Sequence, residues 1–92
     1  MTLDPHGYGQ LFASLTHIED QLRALGKPKA AERINFATKF YGSGSPTELL
    51  GESRLALEAV LNEEANLSGG VIAEIRETLE KINEGFRHAG YK

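Results

Sequence analysis

Three features of the sequence predict an all-α fold. Four stretches carry apolar residues at alternating spacings of three and four, the period of one helix face. The connections between these stretches are short. In the middle of the chain, Tyr41-Gly42-Ser43-Gly44-Ser45-Pro46-Thr47-Glu48 stops one helix and starts the next with its own capping chemistry. Together they predict a compact antiparallel four-helix bundle. The short second helix leaves an irregular four-helix array as the alternative.

The first helix is expected from Tyr8 to Leu25, with Leu11, Leu15, Ile18, Leu22 and Leu25 on one face, widened by Tyr8 and Phe12. His17, Asp20, Gln21 and Ala24 take the other side, and Gly26 ends the helix. Pro28 opens the second helix where a first-turn proline costs least. That helix is expected to run to Tyr41, with Ala30, Ile34, Ala37 and Tyr41 in one apolar line and Phe36 and Phe40 in a second. So wide an apolar arc predicts that it is wedged between two neighbours. Its polar side carries Lys27, Lys29, Arg33 and Lys39 against Glu32.

The turn that follows is the structural hinge. Gly42 tolerates the left-handed stop conformation. Ser45 stands as N-cap, Pro46 as the first helical residue and Glu48 two residues on, the arrangement of a capping box. The third helix is expected from Pro46 to about Ala65, with Leu49, Leu50, Ser53, Leu57, Val60 and Leu61 inward. Its other side holds Glu48, Glu52, Glu58, Asn62 and Glu63, yet Gly51, Leu55 and Ala59 lie there too. After the turn at 66–70, capped by Ser68, the fourth helix runs to about His88. Its seam is Ile72, Ile75, Leu79, Ile82 and Phe86, flanked by Val71 and Thr78. Residues 1–7 read as a flexible lead-in, 8–90 as a single four-helix domain and 91–92 as a frayed C-terminus.

Composition narrows the function classes. At 92 residues the chain makes one domain, near the lower end of what builds a core unaided. It has no cysteine, which excludes disulfides and thiolate metal sites. The net charge of −3 argues against nucleic acid, which calls for a basic stripe. No apolar run approaches the ~20 residues needed to span a bilayer, so no membrane role is expected. The first residues lack the basic and apolar regions of a signal peptide, and the cytoplasm is the expected address.

No catalytic signature accompanies the fold. The glycine–serine hinge lacks the P-loop ending, and Glu48 and Glu52 would repel a phosphate. No Gly-x-Ser-x-Gly elbow surrounds Ser43 or Ser45. His6, His17 and His88 stand without ligand spacing and read as solvated, with no metal or other cofactor expected. Phe36, Phe40 and Tyr41 beside Arg33 and Lys39 could form a stacking platform for single-stranded nucleic acid, but aromatics at helical spacing in a small bundle read as core. The acidic strip of Glu48, Glu52 and Glu63 lacks the enclosed pocket that acid–base catalysis needs. It reads as a solvated face or a recognition strip. Gly51, Leu55, Ala59 and Asn62 on the same side are either a second packing face of a central helix or a contact stripe for a partner.

Tyr41-Gly42-Ser43 and Glu48-Leu49-Leu50-Gly51-Glu52 resemble a pattern in small acidic all-helical bacterial proteins, some of them similar to immunity proteins encoded beside secreted toxins. The Leu25-Gly26-Lys27 turn and the later amphipathic helix extend the resemblance over most of the chain, while Gly44 lengthens the hinge. The resemblance implies a small non-enzymatic binder and transfers no functional residue. With the acidic, cysteine-free composition, the expectation is a protein-binding module that occludes its target stoichiometrically. A toxin with a basic cleft fits as partner, and the candidate contact residues are Glu48, Gly51, Glu52, Leu55, Ala59, Asn62 and Glu63. The alternative is a homodimeric scaffold in which the third helix pairs with itself.

Overall fold

The computed structural model describes residues 8–42 and 46–88, which form four helices: α1 (Tyr8–Ala24), α2 (Pro28–Thr38), α3 (Pro46–Glu63) and α4 (Gly69–His88). Their ends follow local backbone chemistry. At the end of α1 the Lys27 N–H donates to the Leu22 carbonyl at 2.9 Å and the Gly26 N–H to the Arg23 carbonyl at 3.0 Å. Gly26 has φ 75°. This pair of bonds around a left-handed glycine is a Schellman stop, which satisfies carbonyls that the helix leaves open. Leu25 falls inside the stop and is 43% exposed, so the inward face of α1 is Leu11, Leu15, Ile18 and Leu22, and the expected fifth member is not part of it.

Helix α2 begins at Pro28, whose missing N–H costs nothing in the first turn, while the Lys27 carbonyl accepts from the Ala31 N–H at 3.1 Å. It ends three residues before Tyr41. The N–H groups of Lys39, Phe40 and Tyr41 reach back to carbonyls three residues earlier, at 3.2, 3.2 and 3.1 Å, and Gly42 follows with φ 81°. That tighter winding turns Tyr41 off the apolar line: it is 41% exposed and stacks on Phe12, ring centroids 4.8 Å apart. The second expected line holds only at Phe40, which packs half-buried against the core. Ala31 is buried, and Phe36 is 54% exposed. Phe36 follows the buried Ile34 by two residues, about 200° around the helix, which turns its ring away from the core.

Helix α3 starts at the predicted Pro46; Ser43, Gly44 and the predicted cap Ser45 lie outside the described residues. It buries Leu49, Leu50, Ser53, Ala56, Leu57 and Val60. The Ser68 hydroxyl caps α4 by accepting from the Val71 N–H at 3.3 Å. The inward line of α4 is rotated from the expected one. Val71, Ile75, Thr78 and Ile82 are buried, whereas Ile72, Leu79 and Phe86 are half-buried at its edge.

Cross-helix contacts fix the directions. Phe12 meets Tyr41 and Glu19 accepts from Asn35, so α1 and α2 are antiparallel. Lys27 pairs with Glu64 at 3.1 Å and Arg33 with Glu63 at 2.9 Å, which sets the start of α2 beside the end of α3. Arg54 lies over the Phe86 ring, and a Cβ on Gly85 would sit 3.1 Å from Leu50 Cδ2, so α3 and α4 are antiparallel and close where they meet. Each helix packs on two neighbours, α1 closing the ring on α4. This is the antiparallel bundle, and α2 lies between α1 and α3 as its composition predicted.

Candidate functional site

On α3 the core takes one side of the helix, and the 3.6-residue period turns Leu55 and Asn62 directly away from it. Leu55 is 60% exposed, so its side chain lies on the open side of the helix. Gly51 and Ala59 lie one turn to either side of Leu55, both half-buried. A Cβ added to Gly51 would meet nothing within 4 Å, so no packing contact of the fold requires a glycine there.

Carboxylates surround Leu55. Glu52 and Glu58 stand three residues before and after it, and Glu48 seven before. Arg54, the one basic residue of α3, is directed to the α4 side, its guanidinium 4.7 Å from the Phe86 ring centroid. Glu63 is on the other shoulder, paired with Arg33 of α2. The structure therefore brings Glu48, Gly51, Glu52, Leu55, Ala59 and Asn62 onto one outer surface and gives Glu63 a separate task in the α2–α3 seam. Gly42 supplies the left-handed stop predicted for it, and Pro46 begins α3.

Two features elsewhere on the bundle differ from what the sequence pattern predicted. Phe36, expected in the core, is the second most exposed of the large apolar side chains described. His17, expected to be merely solvated, has a partner 57 residues away: its Nδ1 donates to Glu74 Oε2 at 2.7 Å, joining α1 to α4. The hydrogen bond to Glu74, and then the charge of the same carboxylate, hold the imidazole above its ordinary value of 6.5. A group whose pKa rises on folding stabilises the fold fully below its unfolded value and loses that contribution as pH rises through the folded value. The melting temperature is therefore expected to fall as pH rises from 6.5 through the raised value, and Glu74→Gln should remove that step. An unchanged pH profile in Glu74→Gln would show that the pair does not form in solution.

The fold and this surface define a small all-α bundle that carries an acidic outer face centred on an exposed leucine. No family model, curated protein or solved structure matches the chain. Among the described residues no helix is long and apolar enough to cross a membrane.

Proposed function

We propose that this chain is a non-enzymatic, cytoplasmic protein-binding module that acts by stoichiometric occlusion, in the manner of an immunity protein or antitoxin against a bacterial toxin. The observation that carries this reading is Leu55, a large apolar side chain exposed at the centre of a carboxylate-rimmed helix face. An apolar contact rimmed by charge is the usual anatomy of a protein interface, where the centre supplies affinity and the rim supplies orientation and encounter rate. Carboxylates at Glu48, Glu52 and Glu58 suit a partner with a basic cleft, such as an enzyme that handles polyanions.

The test is Leu55→Arg. Because Leu55 is 60% exposed, the variant should keep its stability to within about 0.5 kcal/mol. Against a partner it should lose binding, since a desolvated cation facing an apolar contact is costly. Wild type and variant are immobilised side by side in native lysate. The supporting result is a basic protein held in 1:1 ratio by wild type alone, with its activity inhibited in the complex. A folded Leu55→Arg protein that retains the same partner at the same affinity rules this face out.

A further inference from the structure

The two most exposed large apolar side chains among the described residues, Phe36 on α2 and Leu55 on α3, sit on adjacent helices. The Arg33–Glu63 ion pair sets their register. Phe36 lies one turn beyond Arg33 on α2, and Ala59 and Leu55 lie one and two turns before Glu63 on α3. Because the helices are antiparallel, both steps run the same way along the bundle. With a rise of about 1.5 Å per residue and an interaxial distance of about 9 Å, the two residues are roughly 12 Å apart on one side of the molecule.

Their surroundings are opposite in charge and identical in spacing. Phe36 has Lys29, Arg33 and Lys39 at seven before, three before and three after, with Arg33 already paired to Glu63 of α3. Leu55 has Glu48, Glu52 and Glu58 at the same three positions. Two carboxylates stand beside this basic rim, Glu32 one turn before Phe36 and Glu63 on Arg33. The surface thus holds an apolar knob in a basic rim next to an apolar knob in an acidic rim.

We propose that this surface binds a second copy of the chain. A two-fold axis passing between Phe36 and Leu55 exchanges them, so that Phe36 of each copy meets Leu55 of the other and each basic rim meets an acidic one. This is an isologous contact, in which one patch is its own complement. The charges disfavour the simpler dimer in which α3 pairs with α3, since that would set acidic rim against acidic rim. The pairing goes beyond the proposed toxin-binding role and competes with it, because both cover Leu55. The two apolar knobs are small beside the ~1,000 Å² or more that a stable complex buries, so the dimer is weak and reversible.

The experiment is sedimentation equilibrium of the purified protein alone, over a concentration range reaching about 1 mM and at low and high salt. Wild type should pass from monomer to dimer as concentration rises, and salt should weaken the dimer. Phe36→Arg and Leu55→Arg should each remain monomeric. Two further variants test the reciprocity. One carries Glu52→Lys and Glu58→Lys, making both rims basic; the other carries Lys29→Glu and Lys39→Glu, making both acidic. Each should be monomeric alone, and an equimolar mixture should dimerise at least as tightly as wild type. A monomer at every concentration, a mass that grows past the dimer, or a dimer indifferent to Phe36→Arg overturns the proposal. None of these results involves a toxin, so failure here leaves the Leu55→Arg capture experiment to decide the other reading.

Discussion

Replacing Ile75 with alanine is expected to lower the unfolding free energy by about 2–5 kcal/mol, the range for truncating a fully buried aliphatic side chain. Ile75 is 0% exposed and stands between Val71, Thr78 and Ile82 on the inward line of α4. Truncation removes three carbons from the core and leaves a void that backbone packing on both sides prevents from closing. A small domain has about 5–15 kcal/mol in all, so the variant should lose a large fraction of it. At roughly 4–8 °C per kcal/mol for a chain of this length, the melting temperature should fall by about 8 °C or more. Leu15→Ala should behave alike, as Leu15 is equally buried. Leu25→Ala is the control. Helical periodicity puts Leu25 in the same seam as Leu15, but its exposure in the Schellman stop predicts a loss under about 1 kcal/mol. Equal losses at Leu15 and Leu25 in thermal melts would mean that α1 continues past Ala24.

Ser53→Ala is expected to act in the opposite direction, raising stability by about 1–3 kcal/mol, the desolvation cost of a buried group left without a hydrogen bond. Ser53 is 0% exposed in the middle of α3, and its hydroxyl has no hydrogen-bond partner among the described residues. Other hydroxyls on the helices behave differently. Thr16 donates to the Phe12 carbonyl at 2.9 Å, Thr38 to Asn35 at 2.6 Å and the buried Thr78 to Glu74 at 2.8 Å. Alanine keeps the Cβ of Ser53, removes the unpaired oxygen and has the higher helix propensity. The measurement is a denaturant titration in which the midpoint rises at constant slope, the signature of a stability change without a change in the denatured state. A lower midpoint would show that the hydroxyl is bonded in solution, to a backbone carbonyl or a buried water. Thr78→Ala is the matching control and should destabilise, because there a satisfied bond and a methyl group are both removed.

Local chemistry was enough to place the helices. Gly26 and Gly42 sit at positive φ at the stops, Pro28 and Pro46 open helices, and Ser68 caps α4. Each of these depends only on residues within one or two turns, so the sequence carries the whole cause. The same holds for Leu11, Leu15, Ile18 and Leu22, because a three–four repeat has one apolar side whatever covers it. Likewise the outward direction of Leu55 follows from its angular position opposite Leu50, Ser53 and Leu57.

What only the tertiary structure decided is how deep each apolar side chain goes and what it meets. Phe36, expected in the core, stands about 200° around α2 from the buried Ile34, and its ring is left outside. Tyr41 leaves the apolar line because the last turn of α2 winds more tightly. Val71 and Thr78 displace Ile72 and Leu79 from the centre of the α4 seam because the angle at which α4 meets α1 and α3 is set by side chains on all three helices. Glu63 became a partner of Arg33, and His17 of Glu74, across gaps of 30 and 57 residues, a relation no local period encodes. The acidic ring around Leu55 and the basic ring around Phe36 are each written in the sequence. That they lie side by side on one surface depends on the antiparallel register of α2 and α3, which the packed helices alone determine.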